Sequence, residues 1–181
     1  MPTYDYSQHL FEVARLMELA ARTAPKTKGE DFIEMMIISG DNIAKLSGMI
    51  IAFGKSKGKS NFDRDARGVE NSPVILLIGL KAAKTAGIDC GACGYNSCAG
   101  LENAAKANTD FAGPICNFRI MDLGIALGSA AKTAQMHNVD NRIMYRIGVA
   151  ARYGGLVDWD IAMGIPLSAT GKNIFFDRPV N

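Results

Sequence analysis

The sequence predicts an α+β fold in which helices surround a small central sheet. Three observations carry that prediction. Val74-Ile75-Leu76-Leu77-Ile78-Gly79 is an unbroken apolar run of strand length, and apolar character on both faces marks a central strand. Residues 7–24 place Leu10, Val13, Ala14, Met17 and Ala21 at helical spacing, the signature of a helix with one buried face. The chain has 181 residues, 48% hydrophobic and 21% charged, which suits a single domain, 1–181, with a core of ordinary size.

Taken in order, Ser7 is the expected N-cap of the first helix and Pro25 its stop. The turn Pro25-Lys26-Thr27-Lys28-Gly29 leads into the apolar run 32–39, a buried strand. Asp41 is expected to cap a second helix with Ile43, Leu46, Ile50 and Phe53 on one face. Residues 54–72 are polar and of mixed charge, so they read as a solvated loop. Two Gly-Lys-Ser triplets fall here, but Met49 and Phe53 stand where a phosphate loop needs its first glycine. Thr170-Gly171-Lys172 fails the same test.

After the central strand a short helical piece is expected, then a cysteine segment at about 87–118, with Ala99–Asn108 as a helix. A long helix follows over 119–137, rich in glycine, alanine and serine, with Ile120, Leu123, Leu127 and Ala131 as its apolar edge. So many small residues imply close approach by another backbone or a flat ligand. Asp140 begins a further helix that stops near Gly154-Gly155. Residues 156–164 read as a third strand, and 165–181 as an extended arm.

The formal net charge is +2, which gives no electrostatic argument for nucleic acid. No apolar run reaches the roughly 18 residues that span a bilayer. The N-terminus lacks the basic start and apolar stretch of a secretory signal. The expectation is a cytoplasmic protein, where cysteines stay reduced and available to metals. His9 and His137 lack ligand spacing and read as surface or capping residues.

All four cysteines fall in one pattern, Cys90-x2-Cys93-x4-Cys98-x17-Cys116. Thiolates are soft ligands, and four of them suit an iron–sulfur cluster or zinc. Zinc sites more often arrive as two C-x2-C pairs or with histidine. Catalytic thiols or disulfides are the remaining alternative. Gly91 and Gly94 let the backbone wrap tightly and turn N–H groups toward bound sulfide.

The string Cys-Gly-Ala-Cys-Gly-Tyr-Asn-Ser-Cys, with its delayed fourth cysteine, resembles the 4Fe–4S domain of cluster-bearing subunits in membrane electron-transport complexes. It is similar also to that of the corrinoid iron–sulfur protein of acetyl-CoA synthesis. The resemblance implies that Cys90, Cys93, Cys98 and Cys116 are the ligands of a [4Fe–4S] cluster. In those proteins the domain tends to be a module near a terminus, whereas here it is mid-chain. The whole chain looks like a prokaryotic family described as containing a ferredoxin domain.

The rest resembles nitroreductase-type flavoproteins. Ala20-Ala21-Arg22-Thr23-Ala24-Pro25 is similar to a helix of that family running into an Ala-Pro turn that touches FMN. Asp122-Leu123-Gly124-Ile125-Ala126 and Ile161-Ala162-Met163-Gly164-Ile165-Pro166 are similar to its central helix and a late strand ending in Gly-x-Pro. The family's early Arg-Ser-x-Arg signature is absent, Arg22-Thr23 being a partial echo. The resemblance implies a nitroreductase-like α+β homodimer with the cysteine segment as an insertion. By resemblance and charge, Arg22, Lys26, Lys28, Lys172 and Arg178 are candidates for the phosphate of FMN.

The functional expectation is an iron–sulfur redox protein, with a flavin- and cluster-dependent oxidoreductase as its enzymatic form. Its partner would be a redox protein or a small-molecule acceptor. The alternatives are a non-enzymatic electron carrier or cluster sensor, and a zinc-binding interaction protein. No residue stands out as a general acid or base.

Overall fold

The computed structural model describes residues 4–176. Its elements are α1 (Ser7–Thr23), β1 (Ile33–Ser39), α2 (Asp41–Ser56), α3 (Phe62–Glu70), β2 (Val74–Leu80), α4 (Cys98–Glu102), β3 (Ala107–Asn108), β4 (Ala112–Gly113), α5 (Asn117–Met136), β5 (Asp140–Asn141), α6 (Tyr145–Tyr153) and β6 (Ile161–Ser168). The main sheet runs β1-β2-β6-β5 with every neighbouring pair antiparallel. β3 and β4 form a separate small hairpin.

Helices cover both faces of the sheet, so the fold is α+β as the sequence predicts. Alternation along β2 sorts its side chains. Val74, Leu76, Ile78 and Leu80 join the core shared with α1 and α5. Ile75 and Leu77 join the core shared with α2, α3 and α6. All seven residues of β2 are buried, as a strand covered on both faces requires.

Close approach of α6 to β6 depends on two missing side chains. A Cβ on Gly148 would lie 1.7 Å from the Ala162 carbonyl oxygen, and one on Gly164 would lie 2.2 Å from Ile147. On the opposite face, Ala126, Ala130 and Ala134 of α5 meet Ala14, Met17 and Ala21 of α1 in the core. The small residues of α5 therefore do admit a neighbouring backbone, and that neighbour is α1.

Several sequence expectations shift. Residues 62–70 form α3 and not loop: Phe62, Ala66 and Val69 share a buried face, and Asp63 and Asp65 occupy the favourable first turn. Ser7 is the first helical residue, and Asp5 accepts its N–H at 2.9 Å. Gly40, at φ +58°, precedes α2 in the capping position expected for Asp41. No helix follows β2 directly, and α4 stops at Glu102, well short of Asn108.

The buried face of α5 is Arg119, Asp122, Leu123, Ala126, Leu127, Ala130 and Ala134. Ile120, assigned to the apolar edge, is exposed. Asp140 enters a short strand, and α6 starts only at Tyr145 after Met144 bridges Gly164. The last strand lies at 161–168, later than the 156–164 reading. Val157 and Trp159 are buried from a connecting loop, so apolar burial was read as strand. The start of the expected extended arm is thus sheet.

Candidate metal centre

Residues 81–116 leave the sheet after β2 and return as α5. Within them the backbone is shaped by local conformation more than by burial. Gly87, Asp89, Gly91 and Gly94 all have positive φ, at +64°, +46°, +72° and +86°. No side chain crowds Gly94, so its glycine answers a conformational need and not a steric one. Asp89 holds its strained position while accepting the Cys98 N–H at 2.6 Å. Gly94 N–H donates to Gly91 O at 2.9 Å, closing the turn between the first two cysteines.

The four cysteines line one small cavity, together with Gly91, Tyr95, Leu101 and Asn117. Cys90 is exposed, Cys93 and Cys98 are half-buried, and Cys116 is buried. None is in a disulfide. Cys98 opens α4, whose N-cap Ser97 accepts the Gly100 N–H at 3.1 Å. Cys116 stands at the N-cap of α5, where the positive end of a 20-residue helix favours negative charge. Asn117 donates its side-chain N–H to Ala92 O and so ties the start of α5 to the first cysteine pair. Ala86, Leu101 and Cys116 form a small apolar cluster, with Cys93, Tyr95 and Phe118 against it.

Four thiols on one partly apolar cavity are the donor set of an all-thiolate iron–sulfur cluster. Among the described residues, no three His, Cys, Asp or Glu side chains stand close enough to hold one metal ion between them. A four-iron cluster takes its thiolates at four separate corners, so the donor set suits it, whereas the cavity between the thiols, about 10 Å³, is smaller than such a cluster.

An ionic network around the buried Arg119, at the start of α5, escapes sequence reasoning. Arg119 is fully buried on α5. Its Nε donates to Lys84 O at 2.9 Å, and its terminal nitrogens donate to Thr27 O at 2.9 Å, Asp122 Oδ2 at 3.3 Å and Glu30 Oε2. Asp122 in turn accepts Thr27 N–H and Oγ1–H, both at 2.8 Å. The network joins the 27–30 turn, the stretch before the first cysteine and the helix that begins after the last one. The available signal was an Arg and an Asp three apart inside a small-residue helix.

Of the cations proposed for flavin phosphate, Arg22 and Lys26 meet at the Asp31 carboxylate. Arg22 donates to Asp31 at 2.7 Å and to Ile33 O at 2.8 Å. Lys26 donates to Ala21 O, Arg22 O and Ala24 O at 2.5–2.9 Å, closing the end of α1. Burial lowers its pKa, with Asp31 opposing. Burial pushes the Asp31 carboxyl up, but bonds from Arg22 and the Ile33 N–H and the Lys26 charge hold it below the ordinary value. Lys28, at φ +59°, reaches toward Gly87 beside the cysteine segment. Lys172 follows β6 and has an interaction partner. Arg178 lies outside the described residues. His9 is exposed on α1, and His137 is exposed at the end of α5, as expected.

No helix among the described residues is long and apolar enough to cross a membrane. A family model described as "Uncharacterized protein containing a ferredoxin domain" (DUF2148) matches residues 112–178, a span that includes Cys116. An Archaeoglobus fulgidus protein described as uncharacterized is 48% identical over 175 residues, covering 96% of this chain and 95% of its own. Among solved structures, an FMN-bound nitroreductase from Desulfitobacterium hafniense aligns with TM-score 0.54 at 12% identity, over 95% of this chain and 80% of its own. An FMN-dependent nitroreductase from Mycobacterium smegmatis, in complex with NADPH, gives 0.55 at 12% identity, over 94% and 84%. An FMN- and NADPH-dependent nitroreductase from a Sphigopyxis strain gives 0.54 at 14% identity, over 100% and 86%. These likenesses show a nitroreductase-like fold.

Proposed function

The chain belongs to the family described as uncharacterized proteins containing a ferredoxin domain, and on that premise we propose that it is a cytoplasmic iron–sulfur redox protein whose Cys90, Cys93, Cys98 and Cys116 hold a [4Fe–4S] cluster. The observation that supports this reading is convergence: a cysteine 18 positions beyond the third lines the same cavity as the other three. When bound, such a cluster supplies one-electron oxidation and reduction. The chain's own part is to position the thiolates, exclude water on the Cys116 side through Ala86 and Leu101, and hold the two ends of the segment together through Arg119. Residues 87–118 act in this reading as an electron-transfer insert in a single domain.

Replacement of Cys93 by Ser tests the assignment. After anaerobic purification the variant should carry much less iron and acid-labile sulfide than the parent chain. Unchanged iron would remove Cys93 from the ligand set, and zinc without iron or sulfide in the parent chain would replace the reading with a structural zinc site.

A second reading adds FMN and makes the protein a flavin- and cluster-dependent oxidoreductase. The fold likeness to nitroreductases, one with FMN bound, favours it. Lys26 does not fit the role, because its ammonium is spent within the chain, whereas Arg22 commits only Nη1, so phosphate binding would fall to Arg22, Lys28, Lys172 and Arg178. Visible flavin absorbance, released on denaturation, is the expected result; colourless supernatant from denatured protein would remove the flavin. The outward face of α5 presents Ile120, Met121 and Ile125 around Gly124 and Gly128, which face open space. A homodimer formed there belongs to the same reading, and a monomer mass by light scattering would exclude it.

A further inference from the structure

The cysteine cavity shares a wall with a much larger one. Leu101 and Cys116 line both. The second cavity has a volume of about 620 Å³, within the range of small-molecule sites. It opens to solvent between residues 83–85, the end of α4 and the β3–β4 hairpin.

Its walls are fixed without a ligand. Arg152 donates to Asp110 O at 2.5 Å and to Asn108 Oδ1 at 2.9 Å, holding the hairpin from behind. Ala112 N–H donates to Asp160 O at 2.9 Å, and Asp160 Oδ2 accepts the Ala82 N–H at 2.7 Å. Glu102 accepts the Thr85 hydroxyl at 2.6 Å. Each carboxylate therefore already serves the wall.

The cations are less committed. Lys106 spends one ammonium hydrogen on Pro114 O at 3.0 Å. The Lys84 ammonium has no hydrogen bond or ion pair among the described residues. Two cations, Lys84 and Lys106, and two carboxylates, Glu102 and Asp160, line this cavity. Because both carboxylates accept bonds from the wall while the two lysines keep free N–H donors, the lining suits a negatively charged guest.

We propose that this cavity is a binding site for a small organic anion, held by Lys84 and Lys106 with Cys116 in the wall behind it. The ligand's role as electron partner rests on the cluster reading; its binding does not. The position is a suitable one, since Cys116 and Leu101 line both cavities.

The test uses the anaerobically purified full chain, with iron determined in the same sample, and equilibrium dialysis against anthraquinone-2-sulfonate. The neutral 2-(hydroxymethyl)anthraquinone is the comparison. Saturable binding of the sulfonate at one per chain is expected. The double variant Lys84→Glu/Lys106→Glu should weaken it about tenfold or more, while the neutral compound changes less than about twofold. Ala112→Trp, chosen to fill the cavity without touching charge, should abolish binding of both. Absence of saturable binding, or binding that survives both charge reversal and filling, overturns the proposal. Iron without probe binding would remove the pocket and keep the cluster. Probe binding without iron would keep the pocket and remove its electron-transfer role.

Discussion

β2 and the segment after it are built by opposite means. Every residue of Val74–Leu80 is buried, whereas none of residues 87–98 is. The strand is shaped by apolar surface leaving water on both faces. The cysteine segment is shaped by four positive-φ positions, short-range hydrogen bonds and a three-residue apolar cluster. Regions with few buried contacts open at low free energy. A bound metal group adds its own binding energy to such a region. The sheet needs no ligand to hold its form, whereas the cysteine segment gains most from one.

The largest expected effect falls where the two regions meet. Arg119→Met leaves Asp122 buried and without its cation, beside Glu30. Breaking a buried pair from one side costs about 3–5 kcal/mol. Both global stability by denaturant unfolding and retained iron should fall together. A fall in stability with iron per folded chain unchanged would show that the network supports only the scaffold.

Leu76→Ala separates the regions from the other side. Leu76 is wholly buried in the core beneath α1 and α5, and truncation at such a site costs about 2–5 kcal/mol. Folded protein should keep its iron. Loss of iron in proportion to stability would mean that the cysteine segment is not energetically separate.

The smallest effect concerns Asp110, at the tip of the β3–β4 hairpin. Its carboxyl accepts Lys59 Nζ at 2.7 Å and the Tyr145 hydroxyl. The Lys59 bond, then the Tyr145 bond, hold its pKa below the ordinary carboxylate value. A lowered folded pKa means that its contribution is present above about pH 4 and is lost as pH falls through the lowered value. Asp110→Asn should therefore flatten stability against pH on the acid side and leave neutral iron content unchanged. An identical acid-unfolding midpoint would show that the bond contributes nothing in solution.

How much of this could be read beforehand follows the same division. The burial of Val74–Leu80 is a property of consecutive residue types, so the central strand stood out. The Cys90–Cys116 pattern is a spacing of reactive residues, so the candidate ligands stood out as well. α3 did not, because Phe62, Ala66 and Val69 are three apolar positions in a polar run, and their partner Phe53 lies on another helix. The start of β6 was misplaced because Trp159 is buried by Gly79 from a loop, and apolar character alone does not distinguish loop from strand. Arg119 read as one more polar residue because its acceptors come from residues 27–30, 84 and 122. The flavin candidates were chosen for charge, and charge does not reveal that Lys26 closes its own helix.

Iron and acid-labile sulfide, measured on the anaerobically purified chain alongside its visible and electron-spin spectra, test most directly whether the four cysteines hold a cluster. About four iron and four sulfide per chain are expected, with a reversible one-electron signal. Zinc at one per chain, with neither iron nor sulfide even after anaerobic reconstitution, would contradict the cluster reading.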